Sequence, residues 1–139
     1  MKLKYLGEMM LHELKNGDTS WASKGMFIKG DLILIVKPTG SKHRYDIPGG
    51  KIKIGESKEQ GLYRECLEEV GLRIKKVKFL GKNTEREKYF FIITEWTGTI
   101  MLQSEELEKY RWVPIDTVLQ YRLTKTSVQG ILLLSNTTY

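Results

Sequence analysis

The stretch from Ser57 to Gly71 leaves its backbone little choice. Ser57-Lys58-Glu59-Gln60 has the Ser-x-x-Gln form of a capping box, so a helix is expected to begin with Ser57 as its N-cap. Gly71 is the expected stop, because glycine takes up the left-handed conformation that closes a helix at little cost. At ~100° per residue, Glu65, Glu68 and Glu69 fall within roughly one 100° arc, and Leu62, Tyr63, Cys66, Leu67 and Val70 occupy another. The oily side must rest on a core and the carboxylates must face outward.

Three carboxylates on one helical face repel one another, and the arrangement calls for a compensating cation. Hard oxygen donors at this spacing suit Mg2+ or Mn2+ better than zinc, which prefers nitrogen and sulfur. Taken alone, Glu-x-x-Glu-Glu reads as a solvated acidic face, as most glutamate runs do. The neighbouring Asp46-Ile47-Pro48-Gly49-Gly50 alters that balance. Its glycines let backbone approach a ligand closely and leave main-chain polar groups free to bind it.

Gly50, five residues, Glu56, seven residues, Arg64-Glu65-Cys66-Leu67-Glu68-Glu69-Val70-Gly71-Leu72 resembles the signature box of the Nudix hydrolases at every defining position. Cys66 stands where an aliphatic residue is more usual, a mild departure because cysteine packs as a small hydrophobe. Tyr45 replaces a frequent Trp before the Pro-Gly-Gly, and Ile54 a frequent Pro. The box spans residues 50 to 72 of 139.

The resemblance implies an α+β Nudix fold, an α/β/α sandwich with a mixed central β-sheet. It implies hydrolysis of a nucleoside diphosphate linked to a further group, with Mg2+ or Mn2+ and an attacking water. Carried over by position, Glu65, Glu68 and Glu69 bind metal, the Gly50 carbonyl is a further ligand, and one helical glutamate doubles as base. Arg64 and Glu56 form the pair that orients the helix; the plain alternative is a surface ion pair worth ~0–1 kcal/mol. In the loop Ser104 to Glu108, Glu106 is the best match to a further metal-binding or basic carboxylate, with Glu105 second.

The first-choice substrate, by resemblance to MutT-type members, is a nucleoside triphosphate, oxidised ones included, cleaved to monophosphate and pyrophosphate. Dinucleoside polyphosphates stay open because Tyr89 lies where such hydrolases often carry Tyr. ADP-ribose and other nucleotide sugars also stay open, although Asn83 to Tyr89 lacks the expected Pro. A module that binds nucleotide or RNA without hydrolysing it is the non-enzymatic alternative, opposed by retention of every box carboxylate.

Lys37, Lys42, His43, Arg44, Lys51 and Lys53 flank the Pro-Gly-Gly turn, and Lys37, Arg44 and Lys51 are the expected phosphate contacts. Trp21, Phe27 and Tyr89 are the expected base-stacking residues, with Met26, Phe91 and Trp112 behind them. Strands are expected over Trp21–Lys29 and Leu32–Lys37 about a Gly30-Asp31 turn, then Ile74–Leu80, Lys88–Thr97, Ile100–Leu102 and Tyr110–Val113. A turn or short helix follows Pro114, and Thr126–Leu134 has helical spacing.

A length of 139 residues with 40% hydrophobic content suits one domain, residues 1–139, with a real core. No segment approaches the ~18 apolar residues needed to cross a bilayer, and no membrane partner is expected. One cysteine, Cys66, forms no internal disulfide and fits a reducing compartment, so the cytoplasm is the expected location. The net charge of +6 admits RNA, yet no aromatic RNA-reading signature is present and no dedicated nucleic-acid partner is expected. A homodimer remains open.

Overall fold

The computed structural model describes residues 17–42, 44–102 and 105–137. Strand β1 (Asp18–Lys29) turns at Gly30-Asp31 into β2 (Leu32–Pro38), with Ile28 opposite Ile33. Then follow β3 (Gly49–Lys53), helix α1 (Lys58–Val70), β4 (Arg73–Asn83), β5 (Lys88–Thr97) and β6 (Leu107–Pro114). A 3-10 turn (Val118–Gln120) leads into helix α2 (Lys125–Leu134). The sheet runs β4-β5-β1-β2-β6, with β3 added beside β1. Only β1 and β5 pair in parallel, so the sheet is mixed, as the family resemblance implied.

Strand alternation decides the layers, since neighbouring side chains point to opposite faces. Met26, Ile28, Ile33, Ile35, Phe90 and Ile92 face Ile131 and Leu134 of α2. Phe27, Leu34, Val36, Phe91 and Ile93 face Leu62, Cys66 and Val70 of α1. Each such fully buried side chain contributes ~1.5–3 kcal/mol relative to exposure, which fixes both helices on the sheet. At the sheet edge, β4 exposes Lys75, Lys76, Lys78 and Lys82, charges that discourage a further strand from pairing there.

Both ends of α1 are sealed as the sequence predicts. The Ser57 hydroxyl accepts the Gln60 N–H at 3.0 Å, and the Gln60 side chain accepts the Ser57 N–H at 2.9 Å, a cap worth ~1 kcal/mol. Gly71 closes the helix at φ 76°, donating to the Leu67 carbonyl. Leu62, Cys66 and Val70 are buried, whereas Tyr63 and Leu67 of the expected apolar side stay 40% and 39% exposed. The helix therefore rests on an i, i+4, i+8 stripe.

Three elements differ from expectation. Gly49–Lys53 is a strand paired antiparallel with β1, not only a turn. A Cβ at Gly49, which has φ 136°, would fall 2.1 Å from the Ser23 carbonyl oxygen, so only glycine lets the strands approach this closely. Ile100–Leu102 is irregular, because the chain turns at Gly98 and the Met101 N–H bonds to the Val70 carbonyl under the end of α1. Ile100 and Leu102 still pack on the core. β6 begins at Leu107 rather than Tyr110, since pairing with β2 carries it back to Pro38.

Candidate active site

Arg64 is the hub of the carboxylate face. Its Nε and Nη2 donate to the two oxygens of Glu56 at 2.7 and 3.0 Å, a bidentate pair. Its Nη1 reaches Glu65 at 3.0 Å and Glu68 at 3.2 Å, and Nη2 also donates to the Lys51 carbonyl. The Lys53 N–H donates to Glu56 as well. One guanidinium thus ties β3, the loop after it and the helix together. Arg64 holds the Glu56 carboxyl below its ordinary range, and the glutamates in turn raise Arg64.

Glu65 lies against Gly50, where an added Cβ would stand 2.6 Å from its carboxyl carbon. Burial raises its pKa, and Glu68 and Glu106 push the same way against the opposing pull of Arg64. Glu106 is therefore within electrostatic reach of the face, on the loop before β6, where its carbonyl accepts the Thr39 N–H. Glu69 accepts the Gly49 N–H at 3.2 Å. Burial lifts its pKa to about 7, outweighing the nearby Lys24 ammonium and that hydrogen bond. Cys66 is fully buried beneath them, its thiol pushed well up by burial.

Among the described residues, no three acidic, His or Cys side chains stand in a geometry ready to hold a metal ion. Arg64 draws Glu65 and Glu68 to itself, and Glu69 turns to Gly49. The donor set nonetheless fits a hard divalent cation: it is all oxygen, and it includes two half-buried carboxylates, Glu65 and Glu69, whose pKa values are raised by burial first and by neighbouring acids second.

Sequence reasoning missed the cluster on the other side of Pro48-Gly49-Gly50. Lys24, 8% exposed in the middle of β1, donates to Asp46 at 3.0 Å. The other Asp46 oxygen accepts the Ile47 N–H at 2.9 Å and the hydroxyls of Thr124 and Ser127 at 3.0 and 2.5 Å. Burial opposes both charges, but their mutual attraction and the hydroxyls win: Lys24 is raised and Asp46 lowered. A lysine inside an apolar strand was the one available signal.

The expected substrate contacts scatter. Trp21 and Tyr89 stack at 4.7 Å and line a cleft of about 400 Å3 with Ile52, Glu56, Ser57 and Lys58. Lys51 is exposed nearby, its ammonium on the Ser20 carbonyl. Lys37 is buried and paired with Glu108 at 2.5 Å. Arg44 lines a different cavity, with Lys42 and Arg122. Phe27 is a correction: it is wholly buried, edge-on to Trp96, and has no face for a base. Met26 and Phe91 are likewise core, and Trp112 packs on Trp96. His43 lies outside the described residues.

A family model described as NUDIX domain matches residues 25–133. The chain is 38% identical over 101 residues to an 8-oxo-dGTP diphosphatase of Buchnera aphidicola, covering 66% of this chain and 75% of that one. It is 33% identical over 101 residues to the NAD-capped RNA hydrolase NudC of Actinobacillus succinogenes, covering 66% of this chain but only 38% of that protein. Among solved structures, a MutT NUDIX hydrolase of Burkholderia pseudomallei aligns with TM-score 0.71 at 18% identity, covering 81% of this chain and 95% of that one. The E. coli ORF135 protein aligns at 0.70 and 20% identity, covering 83% and 87%. With the box geometry, a match over most of its length and this fold, the chain belongs to the Nudix family and is a pyrophosphohydrolase of MutT type.

Proposed function

We propose that the chain hydrolyses a nucleoside triphosphate, oxidised forms included, to the monophosphate and pyrophosphate, using Mg2+ or Mn2+. The observation that carries this reading is the pair of half-buried carboxylates, Glu65 and Glu69, set against the Gly49-Gly50 backbone. The Buchnera diphosphatase supports the substrate class. Glu65, Glu68, Glu69, Glu106 and the Gly50 carbonyl would hold the ion. Bound there, a divalent ion neutralises polyphosphate charge and makes a water more acidic. One of the helical glutamates would take the proton of that water. Arg64 and Glu56 keep helix and strand in register, and the Trp21–Tyr89 cleft takes the base.

A dinucleotide substrate is the second reading, favoured by the NudC relatives. The buried thiol of Cys66 and a nucleotide substrate support cytoplasmic action; among the described residues no helix is long and apolar enough to cross a membrane. A panel of oxidised and ordinary nucleoside triphosphates, dinucleoside polyphosphates, NAD and ADP-ribose, assayed with and without Mg2+, tests the proposal. Pyrophosphate release from triphosphates, fastest among the panel and dependent on metal, is expected. Preferential cleavage of dinucleotides would transfer the activity to the second reading.

A further inference from the structure

We propose that the cavity between the β2–β3 loop and the segment preceding α2 is a separate anion site, built for a phosphate group bearing two or more negative charges. Its volume is about 410 Å3, and Gly40, Ser41, Lys42, Arg44 and Arg122 line it. Among the described residues, three of the five that line it are cations and none is acidic. Neither Gly50 nor any box glutamate borders it, so it is distinct from the carboxylate face.

Hydrogen bonds of the backbone and of the Ser41 hydroxyl bring together the segments that carry these cations. The Ser41 hydroxyl donates to the Arg44 carbonyl at 2.8 Å, and the Arg44 N–H returns to the Ser41 carbonyl at 3.2 Å, closing a tight loop. The Tyr45 N–H then donates to the Arg122 carbonyl at 2.7 Å, and the Thr124 N–H to the Tyr45 carbonyl at 2.9 Å. These bonds set position 122 beside position 44 although the two are far apart in sequence. Around the same tyrosine, Lys109 lies 5.8 Å from the ring centre and Arg111 donates to the hydroxyl at 3.1 Å.

Lys42, Arg44 and Arg122 are exposed, and among the described residues none of the three is ion-paired with a carboxylate, so an anion joining them would relieve their mutual repulsion. Asp46, the nearest in sequence, is saturated by Lys24, Thr124, Ser127 and the Ile47 N–H. Two guanidinium forks with a lysine suit phosphate, whose oxygens accept paired N–H bonds, better than a singly charged carboxylate. The group could belong to free pyrophosphate or to the terminal phosphate of a nucleotide.

The test is an amide-resolved NMR titration of the full chain in chelator, where hydrolysis does not intervene, with ionic strength held constant by NaCl. Pyrophosphate, a nucleoside triphosphate and a nucleoside with no phosphate are added in separate arms. Saturable shifts at Ser41, Arg44, Tyr45 and Arg122 are expected with the two phosphates and not with the nucleoside. A Lys42→Gln/Arg122→Gln variant is expected to weaken binding at least tenfold while keeping its unfolding midpoint; if the pair unfolds, Lys42→Gln alone is read for a smaller loss. Tighter binding of pyrophosphate than of the triphosphate assigns the site to free product, and the reverse order to a nucleotide terminus. Shifts that follow NaCl alone, or binding unchanged in the variants, would overturn the proposal. Because no turnover is measured, this outcome stands apart from success or failure of the hydrolase assay.

Discussion

Two charged clusters flank the Pro48-Gly49-Gly50 turn, and they are finished to different degrees. On one side the Asp46 carboxylate has Lys24, two hydroxyls and a backbone N–H, and its pKa falls despite burial. On the other, Glu69 accepts the single Gly49 N–H and its pKa climbs to about 7. Burial weighs on both acids; at Asp46 the charge of Lys24, helped by the hydroxyls, outweighs it, and at Glu69 the charge of Lys24 and one N–H do not. The saturated cluster is a fastener for the turn, and the undersupplied one is where we propose that a cation binds.

Substitutions at the two clusters should therefore fail in different ways. Glu68→Gln or Glu69→Gln keeps shape and removes charge, and each is expected to cut turnover by about 10³-fold while circular dichroism stays that of the folded wild type. Asp46→Ala does the opposite in kind. It strands the buried Lys24 ammonium and should cost about 3 kcal/mol in urea unfolding, with much of the loss recovered when Lys24→Met is added.

The same contrast has a pH signature in chelated protein. The folded pKa of Glu69, about 7, stands above the unfolded value of about 4.3. Between those values the folded state holds a proton that the unfolded chain has released, so the Glu69 contribution is full below pH 4 and is lost as pH rises toward 7. Relative to Glu69→Gln, wild-type stability should fall by about 2 kcal/mol across that window, a figure reduced from the full shift because the site is partly open to solvent. A flat difference between the two proteins would mean that Glu69 is not undersupplied. Smallest of all, Cys66→Val should leave turnover intact and change stability by less than about 1.5 kcal/mol, since the thiol only packs.

What was legible in the sequence was local. The Ser57–Gln60 box, the Gly71 stop and the Gly30-Asp31 hairpin are set by residues a few positions apart, and each is present. Box spacing also brought Glu56, Arg64, Glu65 and Glu68 to one place, because helix periodicity and one loop suffice to connect them. The fastener was not legible: Asp46 meets Ser127 across 81 positions, and only tertiary folding makes that pair. Ile100–Leu102 had a strand's composition but lacked a partner strand, the glycine at 98 having turned the chain away. Phe27 shows that a strand aromatic cannot be sorted into core or cleft without knowing which face the helix covers.

Calorimetric titration of Mn2+ into the metal-free chain at pH 7, in two buffers of different ionisation heat, addresses the cation capacity itself. Saturable binding that releases part of a proton, with affinity and release both lost in Glu69→Gln, is the predicted result. Absence of binding even with a nucleotide present, or undiminished binding to Glu69→Gln, would contradict it.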